Sequence, residues 1–139
     1  MTTEQTEVPR PIPIPDENSQ PFFDAAKEGK LLLRYCPNCN RFLGYAAEIC
    51  DVCFNAKLDW RESAGRGKVY SFIIMHQVIH PGFASIVPYN VASVELEEGP
   101  RLHTNLVNIA NDQIQVDMPV KVTFEKLDDE ITVPKFEPA

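Results

Sequence analysis

Hydrophobic and polar positions change rhythm twice along this chain, and each change marks a boundary between elements. In the leader, Pro9, Pro11, Pro13 and Pro15 alternate with Arg10, Ile12 and Ile14, a spacing that favours an extended, polyproline-like arm. Residues 1–20 are read as a proline-rich flexible tail. Ile12 and Ile14 are out of place in a purely solvated leader, which raises the sharper expectation of an arm laid along a partner. From Pro21 to Gly29 the period becomes helical. Phe22, Phe23 and Ala26 share an apolar face, Asp24, Lys27 and Glu28 are polar, and Gly29 suits a C-terminal stop. Short extended stretches follow at Leu31 to Tyr35, Arg41 to Tyr45 and Leu58 to Glu62. From Lys68 the period is two. Lys68 to Val78 alternates, with Tyr70, Phe72, Ile74 and His76 on one face and Val69, Ser71, Ile73 and Met75 on the other.

Four more strands are expected at Pro88 to Leu96, Arg101 to Val107, Val120 to Glu125 and Ile131 to Val133, the turn Glu97-Glu98-Gly99-Pro100 linking the first two. Five strands without a helical period between them predict a small closed barrel. The five-stranded oligonucleotide/oligosaccharide-binding (OB) barrel is the natural candidate. The fold class is therefore mainly β, with a helix and a small metal ribbon ahead of the barrel. Residues 21–64 form the helix plus ribbon, and residues 65–139 the barrel with a C-terminal tail. In that tail Pro134, Phe136 and Pro138 leave one aromatic expected to be exposed and to dock.

The ribbon follows from the cysteines. Cys36-Pro37-Asn38-Cys39 and Cys50-Asp51-Val52-Cys53 hold all four cysteines of the chain. Two residues between the sulfurs of each pair let a tight turn aim both thiolates at one point, and two such turns close a tetrahedral shell around zinc. Disulfides would need an oxidising compartment, and Met1 leads into Thr-Thr-Glu-Gln-Thr-Glu, too polar for an export signal. A thioredoxin-like redox pair needs a helix start and has no use for a second pair. Iron of the rubredoxin type uses the same four thiolates and stays open on spacing alone.

Charge and length narrow the function. The 139 residues carry a net charge of −7, with 13 Lys and Arg against 20 Asp and Glu and no basic cluster. A nucleic-acid-binding ribbon or barrel carries a basic face, so that role is disfavoured. No apolar run is long enough to cross a bilayer, and a soluble, cytoplasmic protein with reduced thiols is expected.

The remaining chemistry is sparse. Gly65-Arg66-Gly67 precedes a strand rather than a helix and lacks a third glycine, so it reads as a hinge between ribbon and barrel rather than a dinucleotide loop. Arg66 and Lys68 could still meet a phosphate as isolated charges. His76, His80 and His103 have no nucleophile or carboxylate motif beside them, and there is no Gly-x-Ser-x-Gly elbow. Zinc claims every thiol. The long loop from His80 to Tyr89 carries Phe83, Ile86, Pro88 and Tyr89, apolar residues expected to meet a partner or ligand.

These segments follow one another in a familiar order. Phe22 to Leu33, the two cysteine pairs, Gly65-Arg66-Gly67-Lys68-Val69-Tyr70-Ser71-Phe72, Pro81-Gly82-Phe83, Pro88-Tyr89-Asn90-Val91-Ala92, Glu95-Leu96-Glu97-Glu98-Gly99-Pro100-Arg101-Leu102 and Met118-Pro119-Val120 resemble the family with a rubredoxin-like zinc ribbon and an OB-fold, described as acyl-CoA-associated. The resemblance covers nearly everything after the proline-rich tail. It implies a small, non-catalytic partner of a thiolase-superfamily enzyme, or in some systems of an aldolase or hydratase acting on CoA thioesters. The partner would supply the catalytic cysteine and histidines, and the small subunit would bridge it and help form the CoA-ester site, for an aromatic or steroid-like acyl group. Structural zinc at Cys36, Cys39, Cys50 and Cys53 is implied, with Arg66, His80, Phe83, Tyr89 and Arg101 as expected CoA or partner contacts. A stand-alone acyl-CoA-binding module is the alternative, and a single-stranded nucleic-acid binder a more distant one. The chain departs from the family's pattern where glycine usually follows each cysteine pair: Asn40 and Phe54 stand there, and Asn55 is expected to take the left-handed position at the second turn. Asp117 likewise replaces a glycine before Met-Pro-Val.

Overall fold

A computed structural model describes residues 9–139; the first eight residues of the predicted tail lie outside the described residues. Helix α1 spans Gln20–Lys27 and buries Phe22, Phe23, Ala25 and Ala26. Pro21 stands in its first turn, where no intrahelical N–H is needed. Gly29 at φ 76° ends the helix, its N–H donating to the Ala26 carbonyl and that of Lys30 to Ala25.

Strands β1 (Leu32–Cys36), β2 (Arg41–Leu43) and β3 (Asp59–Glu62) form an antiparallel sheet in the order β2-β1-β3. Strands β4 (Arg66–Met75), β5 (Tyr89–Leu96), β6 (Arg101–Thr104), β7 (Pro119–Lys126) and β8 (Thr132–Pro138) form a second sheet in the order β6-β5-β4-β7-β8. This is the expected five-stranded OB architecture. The two edges of the sheet meet through a few bonds rather than a ladder: Thr104 Oγ1 donates to the Pro134 carbonyl at 3.2 Å, and just past β6 Leu106 bridges Phe136, with the Val107 N–H donating to the Phe136 carbonyl at 2.8 Å. The sheet is thus curled into a half-barrel rather than closed by a full ladder.

One core runs through both parts. Phe22 and Phe23 of α1 and Leu31 and Leu33 of the ribbon join Val69, Val94, Val120 and Phe136 of the barrel. Phe22 stacks on Tyr45 with ring centroids 4.0 Å apart. The linker is tied down as well: Ser63 Oγ donates to Glu98 at 2.7 Å and the Ala64 N–H at 2.8 Å. Gly65 sits there at φ 73°, the backbone reversal expected of a hinge residue.

Three expectations are corrected. Tyr70 is the extra residue of a β-bulge, since Val69 pairs with Val94 but Ser71 with Ser93. The bulge moves Val69 to the same core as Phe72 and Ile74, where simple alternation had set them on opposite faces. His76 lies just past the end of β4 rather than on it. The expected C-terminal tail is instead β8, paired with β7 along its whole length, and Phe136 is fully buried. Its prolines hid it: Pro134 and Pro138 donate no backbone hydrogen bond, which an edge strand tolerates.

Candidate metal centre and ligand cleft

The end of β1 delivers Cys36 and the following turn delivers Cys39, while the second turn brings Cys50 and Cys53 opposite them. All four sulfurs lie within 4.8 Å of one another. Cys36 Sγ is 3.6 Å from Cys53 Sγ, and Cys39 Sγ is 3.9 Å from Cys50 Sγ. A regular tetrahedron with metal–sulfur bonds of about 2.3 Å has sulfur–sulfur edges of about 3.8 Å. The thiols therefore fit a closed four-sulfur shell.

Their proton affinities show how crowded they are. Burial works to raise the Cys36 thiol, but hydrogen bonds from the Cys39 backbone and from the Cys53 and Cys50 thiols outweigh it and bring it down to about 7. Cys39 is pushed up to about 12, first by its hydrogen bond with Cys53 and then by burial. A cation at the centre lets all four ionise together.

The turns support this shell. The Val52 N–H donates to Cys50 Sγ at 3.4 Å, and Asn55 Nδ2 lies 3.9 Å from Cys36 Sγ while also donating to the Lys57 carbonyl at 3.1 Å. Asn40 takes the left-handed backbone at φ 52°. At the second turn Phe54 itself takes it, at φ 60°, and Asn55 does not. Asn55 instead orients a ligand sulfur, a role its sequence position alone did not reveal.

The barrel's other feature is a cleft of about 780 Å³, lined by the 9–13 segment, α1, the 80–89 loop, and residues of β6 and β8. Phe83 and Tyr89 line it, their ring centroids 5.6 Å apart. His80 stands behind Phe83, its ring 5.9 Å away, and its Nδ1 accepts the Gly82 N–H at 2.9 Å. That bond makes His80 the cap of a 3-10 turn over Pro81–Phe83. The two expected arginines lie elsewhere. Arg66 pairs with Glu97 at 3.4 Å, and Arg101 lies 3.6 Å over the Tyr70 ring and 3.6 Å from Glu95. His80, Phe83 and Tyr89 are thus brought together, and Arg66 and Arg101 are not among them.

Sequence reasoning missed the polar end of the cleft. Lys135, on β8, donates to Asn105 Oδ1 and lies 3.7 Å from Glu125, with only 16% of its side chain exposed. Its ammonium is held below the ordinary lysine range, chiefly by burial. Asn105 in turn donates to the Asn90 carbonyl, and Asn90, also lining the cleft, is buried; its Nδ2 donates to the Leu106 carbonyl at 2.9 Å and its Oδ1 accepts the Leu106 N–H at 2.6 Å. Reading 132–138 as a strand would have flagged Lys135 as the neighbour of a core phenylalanine.

Comparison with known proteins places the chain. Residues 23–59 match the family described as "ChsH2, rubredoxin-like zinc ribbon domain", and residues 60–125 match "ChsH2, C-terminal OB-fold domain". A probable enoyl-CoA hydratase alpha subunit of Thermomonospora curvata is 42% identical over 141 residues, a match covering 99% of this chain and 44% of that protein. The chain therefore spans less than half the length of that relative. A DUF35 domain-containing scaffold protein of Methanothermobacter thermautotrophicus is 31% identical over 96 residues, covering 68% of this chain and 71% of its own. The solved structure of an Ltp2-ChsH2(DUF35) aldolase contains a chain 40% identical with a TM-score of 0.81, the match covering 91% of this chain and 98% of that one. With both halves of its architecture matched in order, the chain belongs to the ChsH2 (DUF35) family of zinc-ribbon and OB-fold proteins.

Proposed function

We propose that this chain is a non-catalytic, zinc-binding accessory subunit of a complex that processes CoA thioesters. The observation that carries the reading is the commitment of all four cysteines to one closed sulfur cluster, in a chain similar to the ChsH2(DUF35) component of an aldolase. A four-thiolate shell leaves no coordination position for water or substrate, so the metal holds structure rather than supplying a reactive group. Zinc suits it because it favours a tetrahedral sulfur set and has no redox chemistry. The catalytic partner belongs to the thiolase superfamily, and the CoA ester, with an aromatic or steroid-like acyl group, lies where the two chains meet.

Exposed apolar side chains support a partner-facing role. Ile49, Val52 and Phe54 crown the metal turns, 50–72% exposed, and Ile73 and Ile79 project from the end of β4 and the loop after it. His80, Phe83 and Tyr89 are the proposed contacts on the loop side, and Arg66 and Arg101 those on the opposite edge. The test is co-expression with candidate thiolase-like, aldolase-like and hydratase-like proteins from the same genome. A stoichiometric complex with the thiolase-like protein is expected, and Phe83→Ala should loosen it or raise KM for the CoA ester. A lone monomer that binds CoA tightly and captures none of them would replace this reading with the stand-alone acyl-CoA-binding module.

A further inference from the structure

The segment Pro9–Pro13 lies across the mouth of the barrel cleft, yet no hydrogen bond among the described residues ties 9–15 down. It is held by shape at one point. A Cβ on Gly82 would come within 2.5 Å of the Pro9 carbonyl oxygen and 2.8 Å of Arg10 Cα. Gly82 has no left-handed backbone to explain the glycine, so its missing side chain serves the approach of the arm.

What lies beneath is amphipathic. Phe83, Tyr89, Leu127 and Val133 give the cleft apolar walls, and its volume falls in the range of about 300–1,000 Å³ usual for small-molecule sites. Lys135 lines it from β8, and Arg10 reaches it from the arm, close enough for its charge to disfavour the Lys135 ammonium. Glu125 is the one carboxylate lining the same space. Two cations thus face one anion, in a protein whose net charge is −7. A buried ammonium next to a second cation is relieved by an anion between them.

We propose that this cleft is a binding site for an amphipathic anion, an acyl chain ending in a carboxylate, with Lys135 and Arg10 on the anionic end and the 9–13 arm as a flap seated on Gly82. The apolar chain lies along Phe83 and Tyr89, and the carboxylate sits between the two cations. The site is complete within one chain, so it stands or falls separately from the assembly of a complex.

Octanoate tests it, titrated into the full chain and followed by amide NMR, with octylamine as the charge control and acetate as the chain-length control. Saturable octanoate binding is expected, with shifts at residues lining the cleft and none saturable for either control. Lys135→Met should weaken octanoate by about tenfold, as for loss of a charge-assisted hydrogen bond. Arg10→Gln, on the exposed arm, should weaken it by about threefold without touching the fold, and Gly82→Ala, which unseats the arm, should act in the same direction. Equal binding of octylamine, no saturable octanoate binding, or wild-type affinity in Arg10→Gln would overturn the proposal. If Lys135→Met does not fold, Arg10→Gln decides alone.

Discussion

The tip of the ribbon and the barrel are held by different physics. At the tip the buried cluster consists of Cys36, Leu43 and Cys50, whereas the main core gathers fourteen buried residues from the barrel, α1 and the base of β1. Three buried side chains cannot repay the conformational entropy of two tight turns, so the tip is expected to depend on a metal held by its four sulfurs. The barrel is stabilised by apolar area removed from water. The seam between them is not a gap, because Leu31 and Leu33 of the ribbon lie in the barrel's core. The expectation is a metal-dependent tip on a metal-independent body.

The strongest way to break this comparison is to remove the metal. Cys50→Ser, or a chelator, should abolish binding of one metal per chain and melt residues 36–58, since structural zinc sites contribute on the order of 10 kcal/mol to folding. Amide NMR should show those signals collapsing while the barrel signals persist. Loss of both together would mean that tip and barrel form one cooperative unit. Acid should act in the same direction. In metal-free chains whose tip is still folded, the Cys36 pKa is lowered from 9.0 to about 7, so its ionisation favours the folded tip above pH 9 and that contribution is lost as pH falls through 7. Cys39, raised to about 12, contributes in its protonated form below pH 9 and loses that contribution as pH rises through 12. With metal bound, protons compete for every sulfur, and a pH titration of metal release should show affinity falling steadily as pH drops.

Phe136→Ala strikes the other half. Removing a fully buried ring from the shared core should cost about 3–5 kcal/mol in urea unfolding, with metal stoichiometry unchanged. The seam is tested by Glu98→Ala, which removes the acceptor for Ser63 Oγ and the Ala64 N–H and should cost about 1–2 kcal/mol. An unchanged melting temperature would mean that the shared apolar core alone joins ribbon and barrel. The smallest effect is a gain. Phe54 holds a left-handed backbone while its ring is 72% exposed, so Phe54→Gly should stabilise the metal turn by about 1 kcal/mol, read as slower metal loss to a chelator.

Elements with a strong local signal were legible from the chain. The helix, the ribbon strands and the first barrel strands fall within a few residues of their expected places, because periodicity and turn residues are local properties. The bulge at Tyr70 was not legible, since nothing nearby distinguishes an extra residue from the next step of an alternation. β8 was misread because its prolines look like a tail until a partner strand is known. The candidate site divides in the same way. Four cysteines state their own ligand geometry, whereas Lys135 and Arg10 are far apart in the chain and meet only across the cleft.

The spacing of the cysteines and the apolar periods pointed to the four-sulfur cluster and to the order of ribbon and barrel, and the paucity of basic residues disfavoured a nucleic-acid-binding face. Each is carried by residues close together in the chain or by composition. Tertiary structure alone decided that β8 closes against the Leu106 segment, that the arm crosses Gly82, and that a lysine lines an amphipathic cleft. Those facts depend on contacts between residues distant in sequence, whose pairing is set by how the sheet curls.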